Sequence, residues 1–151
     1  MRMRKTWREK MNNPDLPKVV DIPPKMEKRF GPGTLLLPAP VDVEDAIRAI
    51  RKGTVRTVGQ LRRDLAAIYG ATAACPLVTG IFVRISAEAA EEDARAGKKR
   101  IAPYWRVVKE DGSLYPKFPG GVQRQAERLR AEGVFVVNGK AVRAAVVSSR
   151  G

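Results

Sequence analysis

The 151-residue sequence contains no histidine, and its one cysteine is Cys75. Without histidine there can be no Ser-His-Asp or Cys-His catalytic arrangement and no Cys/His zinc site. One cysteine also excludes an internal disulfide. Catalysis would have to rest on carboxylates, lysine, tyrosine or Cys75. The composition therefore favours a binding protein, without a metal or a cofactor, over an enzyme.

Long apolar runs are also lacking. No stretch approaches the roughly 20 apolar residues that a membrane-spanning helix needs, and the basic N-terminus has no apolar segment typical of a signal peptide. We therefore expect a cytoplasmic, monomeric protein. A length of 151 residues with 44% hydrophobic residues fits one folded domain.

Acidic residues are few beside basic ones. The chain has 16 Asp and Glu against 29 Lys and Arg, which gives a formal net charge of +13. A charge of this size on a small domain indicates a polyanionic partner, most often nucleic acid. An RNA- or ribosome-associated role would fit the charge too, although no RNA-binding motif is visible.

Residues 1–40 form a proline-containing segment that begins with a cluster of basic side chains. The prolines break any long helix. We expect an ordered arm that packs over the domain, with Trp7 or Phe30 as a buried anchor. The alternative is a flexible basic tail that follows phosphates. The apolar run Leu35–Leu37 predicts either a short strand or an apolar plug.

Residues 41–147 predict a mainly helical domain with short β elements, followed by a tail at 148–151. Asp42 is the expected cap of a first amphipathic helix. Thr57 is the expected N-cap of a second helix, with Gly70 just after its C-terminal end.

A third helix is expected to begin at Cys75-Pro76, because proline is tolerated in the first helical turn, and to end near Gly97. The second and third helices have the arrangement of a helix-turn-helix. A last helix follows Gly120-Gly121. A C-terminal hairpin is predicted around Asn138-Gly139, with strands extending to Val147. This hairpin is either structural or a wing against a phosphate backbone.

The segment Arg100–Val108 carries two adjacent large aromatic residues, Tyr104 and Trp105, directly after the basic run Lys98–Arg100. Its β-prone residues ahead of Asp111-Gly112 predict a short strand that enters a turn. From spacing alone, the two rings are either packing residues in the core or part of a functional site.

Several stretches of the second half stand out together. They are Pro103-Tyr104-Trp105-Arg106-Val107-Val108, Asp111-Gly112-Ser113-Leu114, Gly120-Gly121-Val122-Gln123-Arg124-Gln125 and Glu132-Gly133-Val134. These stretches resemble the C-terminal domain of O6-alkylguanine-DNA alkyltransferases, and the resemblance covers residues 43–134. In that family the first loop reads Pro-Cys-His-Arg-Val-Val, and its cysteine accepts the alkyl group. Tyr104 stands at the cysteine position, as in the alkyltransferase-like proteins that bind alkylated DNA without repairing it.

The resemblance implies a winged-helix-like fold and particular roles for single residues. Glu132 occupies the position of the family's buried glutamate, which polarises a histidine beside the nucleophile. Trp105 replaces that histidine, so we expect Glu132 to make a structural hydrogen bond. Val58 stands where the family has a tyrosine that crowds the target phosphate.

Alignment on Gly80 puts Leu77 at the family arginine that enters the duplex in place of a flipped base. Leu77 could act as an apolar wedge instead, or Arg84 on the same helical face could reach the DNA. The candidate DNA- and lesion-binding residues are Arg56, Thr57, Leu77, Gly80, Arg84, Lys98, Lys99, Arg100, Tyr104, Trp105 and Arg106.

The resulting interpretation is a small, basic, winged-helix protein of DNA repair. It would recognise alkylated or otherwise damaged double-stranded DNA without transferring the alkyl group. The loop around Tyr104 and Trp105 would form a pocket wall on which a damaged or extrahelical base stacks. Bound to the nucleoid, the protein would flag the damage for other repair proteins.

Two alternatives stay open. The first is a DNA-acting enzyme, either an alkyl acceptor at Cys75 or a nuclease or glycosylase that uses Glu132 or Asp111. A thiol at a helix N-terminus has a lowered pKa, although a buried packing residue is the simpler interpretation of Cys75. The second is a winged-helix DNA binder with no preference for lesions.

Overall fold

The computed structural model describes residues 5–142, so the expected tail and the strand up to Val147 lie outside the described part of the chain. The described part is mainly helical. Its helices are α1 (Trp7–Lys10), α2 (Glu27–Phe30), α3 (Pro40–Arg48), α4 (Val58–Ile68), α5 (Pro76–Arg95) and α6 (Gly121–Ala131). Its strands are β1 (Lys18–Asp21), β2 (Thr34–Leu37), β3 (Arg56–Thr57), β4 (Ala73–Ala74), β5 (Val107–Val108), β6 (Val136–Val137) and β7 (Lys140–Ala141).

The helix ends follow the sequence with one correction. Thr57 caps α4, because its hydroxyl accepts from the Gln60 amide at 3.1 Å while the Gln60 side chain accepts from the Thr57 amide at 2.8 Å. Gly70 follows α4 with φ +64°, as expected for a glycine at the C′ position. Asp42 is not the N-cap of α3. The helix begins earlier, at a proline, and Asp42 lies in its first turn, where it accepts from the Ala39 amide at 2.9 Å.

The N-terminal segment is joined to the domain by a sheet. β1 pairs antiparallel with β2, and β2 pairs parallel with β4, so the strand interpretation of Leu35–Leu37 is confirmed. Ahead of β2, the buried apolar residues of the segment are Met11, 3% exposed, and Ile22, 5% exposed. Trp7 and Phe30 are only partly buried, so the expectation that one of these rings would be the anchor is wrong.

α1 is held on α5 by carboxylates. The Glu92 carboxylate accepts from the backbone amides of Trp7 and Arg8, both at 2.9 Å. The Arg8 guanidinium reaches Glu44 of α3 at 2.9 Å and Asp93 of α5 at 2.5 Å. These contacts hold the start of the described chain against α3 and α5.

The aromatic loop is a 3-10 turn over Tyr104–Arg106, and not the predicted strand. The strand β5 begins only at Val107 and pairs parallel with β3. At the other end of the chain the hairpin prediction is confirmed, because β6 and β7 pair antiparallel around Asn138-Gly139. Both turn residues have positive φ, 51° and 74°, as a type I′ turn requires.

Two side chains, one partly buried and one fully buried, fix the aromatic loop against the rest of the core. Arg106 donates to the Glu132 carboxylate from Nε and Nη2 at 2.9 and 2.7 Å, and from Nη1 to the Ile50 carbonyl at 2.7 Å. Gln125, 1% exposed, donates to the carbonyls of Trp105 and Val107 at 3.0 and 2.9 Å. The main apolar core surrounds these contacts, between α3, α4, α5 and α6.

We predict that Glu132→Gln lowers the free energy of unfolding by about 3 kcal/mol, because it leaves the buried Arg106 charge without a counterion. The two side chains are 10% and 12% exposed. Urea denaturation measures the change. The matched control is Lys140→Gln, which removes an exposed ion pair with Asp111 and should cost less than about 1 kcal/mol. An equal decrease in the free energy of unfolding in the two variants would contradict the prediction.

The same variant has an expected pH signature. Burial, the largest single effect, would raise the pKa of Glu132, but the hydrogen bonds and charge of Arg106, together with Trp105 and the Gly53 amide, outweigh it and hold the pKa below its ordinary value of 4.5. Because the folded pKa is the lower one, the stabilisation is complete above the unfolded pKa and is lost as pH falls through the folded pKa. The stability difference between wild type and Glu132→Gln should therefore narrow in acid, and a difference independent of pH would contradict this.

Candidate nucleic-acid interface

α5 leaves one face of its first two turns uncovered. Leu77 is 72% exposed and Ile81 is 48% exposed, and Gly80 and Arg84 are exposed beside them. Spacings of three and four residues put these positions on one side of a helix, while the other side packs into the core. Sequence reasoning missed Ile81, because an apolar residue in an amphipathic helix is usually a core residue. The result is an outward-facing apolar strip that ends in a cation.

Gly80 lies in the middle of this strip. Glycine costs about 1 kcal/mol relative to alanine at a helical position. A Cβ added to Gly80 would meet no atom within 4 Å, so the fold does not require glycine here. The missing side chain instead lets another molecule come close to the helix backbone.

A cavity of about 600 Å³ lies beside the turn between α4 and α5. We call it the arginine cavity, because its charged lining consists of Arg29, Arg62, Arg63 and Glu110. Glu110 already accepts a hydrogen bond from the Gly59 amide. Burial lowers the pKa of Arg62, and the charge of Arg29 lowers it further. Cations that converge in this way favour a bound anion. Sequence analysis did not select these arginines, because they look like an ordinary solvated helix face.

Tyr104 and Trp105 are core residues, 1% and 8% exposed. Their rings meet edge to face at 5.3 Å between centroids, and Tyr104 meets Phe118 in the same way at 5.3 Å. The Tyr104 hydroxyl donates to Glu91 at 2.5 Å. Burial, together with this hydrogen bond, raises the pKa of Tyr104 well above its usual range. Both rings therefore pack in the core, and of the two only Trp105 borders a cleft of the described structure.

Glu132 and Arg106 are engaged with each other in the core. The bonds to Glu132 and to a backbone carbonyl occupy three nitrogens of Arg106, which leaves this guanidinium poorly placed to contact DNA. The indole Nε1 of Trp105 lies close enough to help lower the pKa of Glu132, although it makes no hydrogen bond of good geometry. This arrangement agrees with the structural role expected for Glu132.

The remaining candidates near α4 and α5 serve local structure. Arg56 forms an ion pair with Asp64 at 2.7 Å, and Thr57 is the cap of α4. Cys75 is 9% exposed. It belongs to a small apolar cluster beside the three-stranded sheet, separate from the core that contains Tyr104.

Lys98, Lys99 and Arg100 line a cleft of about 460 Å³ at the C-terminal end of α5. The other charged lining residues are Arg48, Arg106 and Arg128, and Trp105 forms part of the wall. We call this the basic cleft. At 1.5 Å per residue, α5 carries the chain about 25 Å from Leu77 to Ala94 in the cleft wall. The exposed members of the predicted binding set therefore fall into two groups at opposite ends of α5.

Two further findings concern residues 5–142. Within them, no group of three or more His, Cys, Asp or Glu side chains is placed to hold a metal ion. None of the helices in this range has both the length and the apolar character needed to cross a membrane.

Comparison with known proteins assigns residues 39–134 to a protein family. The family model of the 6-O-methylguanine DNA methyltransferase, DNA binding domain, matches residues 39–134. The crystal structure of S. pombe Atl1 in complex with damaged DNA containing O6-carboxymethylguanine is similar at 23% sequence identity and a TM-score of 0.45, covering 65% of this chain and 78% of that chain. Among curated proteins no match is found. The family segment contains α3 to α6 and the Tyr104 loop, which is most of the chain. This protein therefore belongs to the family of the 6-O-methylguanine DNA methyltransferase DNA-binding domain.

Proposed function

We propose that this protein binds double-stranded DNA and recognises alkylated guanine without taking up the alkyl group. The observation that carries the proposal is the family match over residues 39–134, combined with Tyr104 at the position of the alkyl-accepting cysteine. A buried phenol that is hydrogen-bonded to Glu91 and has a raised pKa is a poor nucleophile, since nucleophilic side chains are activated by a lowered pKa or a nearby base.

The exposed face of α5 is the best surface for contact with the duplex. Its outward strip is narrow at Gly80, and Leu77 is positioned to act as the kind of apolar wedge that unstacks base steps in other DNA binders. The arginine cavity borders the turn that leads into α5 and supplies cations for backbone phosphates. A net charge of +13 adds an attraction to DNA that depends strongly on salt.

An enzyme that acts on DNA is less well supported. Cys75 is buried in an apolar cluster, and the Glu132 carboxylate is engaged by Arg106. Hydrogen bonds from Ser113 lower the pKa of Asp111 to about 2. A carboxylate with such a low pKa is a weak general base and is deprotonated at neutral pH, which prevents it from serving as a general acid.

The proposed activity also implies a place in the cell and partners. A protein that binds an alkylated base without accepting the alkyl group leaves the lesion in the DNA. Other repair proteins would then have to remove it. We accordingly expect the protein in the cytoplasm, on the nucleoid when it is bound.

We predict tighter binding to a duplex with one O6-methylguanine than to the same duplex without it, by about tenfold or 1.4 kcal/mol. Fluorescence anisotropy at two fixed salt concentrations measures the difference. The intact mass of the protein should show no methyl group after incubation. Equal affinity for the two duplexes would indicate a binder without lesion preference, and a methyl group on Cys75 would indicate an enzyme.

Gly80→Ala should separate folding from binding. The added methyl group meets open space, so helix propensity should raise the free energy of unfolding by about 0.5–1 kcal/mol. The same methyl group should weaken binding to both duplexes by about tenfold, because it blocks close approach of DNA to the α5 backbone. A variant that is more stable and binds DNA as well as wild type would place the interface elsewhere.

Arg84→Ala should reduce affinity for both duplexes and lower the slope of log affinity against log salt by about 1, because one phosphate contact is lost. Arg51→Ala is the matched control. It removes the same charge from an exposed position outside the α5 face and outside both linings described above. If the two variants lose the same affinity, net charge alone would explain the effect of Arg84.

A further inference from the structure

The basic cleft is separate from the surface assigned to the duplex. All six of its charged lining side chains are cationic. Four of them form ion pairs with carboxylates that do not line the cleft. The pairs are Arg48–Glu44, Lys98–Asp93, Arg106–Glu132 and Arg128–Glu91. Within residues 5–142, Lys99 and Arg100 make no ion pair. The cleft therefore concentrates uncompensated positive charge in a concave surface, where electrostatic potential is focused.

The cleft also offers hydrogen-bond donors without side-chain acceptors. Its polar lining side chains are lysine, arginine and tryptophan, all of which only donate. Arg128 Nε is buried with no hydrogen-bond acceptor in the described structure, and Trp105 Nε1 has only the nearby Glu132 carboxylate, without a hydrogen bond of good geometry. A ligand that suits this lining has to bring acceptors. Phosphodiester oxygens are acceptors, whereas an acidic peptide also brings backbone N–H donors that these side chains cannot satisfy.

The distance between the two surfaces decides whether one duplex could reach both. The exposed face at the start of α5 and the cleft at its end lie about 25 Å apart along the helix axis. The major groove of B-DNA is about 12 Å wide. A groove that holds the first turns of α5 across its width therefore does not extend to the cleft, which leaves the cleft available to another segment of DNA.

We propose that the basic cleft binds the phosphate backbone of a second DNA segment, so that one protein molecule bridges two duplexes. The inference rests on the proposed function for the first duplex. The second contact should depend little on sequence, because cations in a concave surface suit backbone phosphates, and phosphate contacts carry no sequence information directly. Lys99 and Arg100 carry most of its free charge.

A capture experiment tests the bridge. One duplex is immobilised and saturated with protein, excess protein is washed away, and a second, fluorescent duplex is added. The double variant Lys99→Gln/Arg100→Gln should bind the immobilised duplex within about twofold of wild type. Its capture of the second duplex should fall by about tenfold, and the salt slope of that step should fall by about 2. The matched control, Arg51→Gln/Lys52→Gln, removes the same charge from exposed positions and should capture like wild type.

Stoichiometry distinguishes a bridge from a protein dimer. With duplex in excess, sedimentation should show one protein molecule with two duplexes, and complexes of two protein molecules would overturn the proposal. If the protein binds the first duplex normally but does not capture the second, the bridge is overturned and the proposed function is not. The bridge is also overturned if Lys99→Gln/Arg100→Gln reduces binding of the first duplex and capture of the second equally. Competition by polyglutamate as strong as by DNA would assign the cleft to an acidic partner. Failure to bind the first duplex would overturn the proposed function as well.

Discussion

The bonds of one guanidinium connect three parts of the chain that are distant in sequence. Arg106 belongs to the aromatic loop, Ile50 follows α3, and Glu132 ends α6. Because the guanidinium and its carboxylate are largely buried together, removal of either side chain would strongly lower the free energy of unfolding. The ion pair therefore holds the loop at a fixed depth in the core. At this depth Tyr104 and Trp105 fill the interior. In this chain, the loop that carries the alkyl acceptor in its relatives has become part of the packing.

The length of α5 separates two candidate binding surfaces of the molecule. One end of the helix carries the exposed strip around Gly80, and the other carries the basic cleft beside Lys99. The middle of the helix is buried and packs against α3 and the aromatic loop, so the core lies between its two ends. We therefore expect charge-matched variants at either end to report on one surface at a time.

Features set by neighbouring residues were predictable from the sequence. Thr57 as a cap, Gly70 at a helix end and the Asn138-Gly139 turn all depend on a few adjacent residues, and all were predicted correctly. The burial of Tyr104 depends on partners far away in the chain, among them Glu91, so spacing alone left its role open. The arginine cavity could not be predicted because α2 and α4 come together only in the fold. The two surfaces of α5 were listed together as one set of candidates, although the predicted bounds of this helix already implied the distance that separates them.

The ion pairs of Arg8 in the N-terminal arm affect the charge of the basic cleft. Arg8 binds Glu44 and Asp93, and these are the same carboxylates that pair with Arg48 and Lys98 of the basic cleft. Each acid is thus shared between a cation on the arm and a cation on the cleft. By taking part of their negative charge, the arm leaves the cleft cations less neutralised than they would be alone. The first described helix therefore helps to keep the neighbouring basic cleft positive.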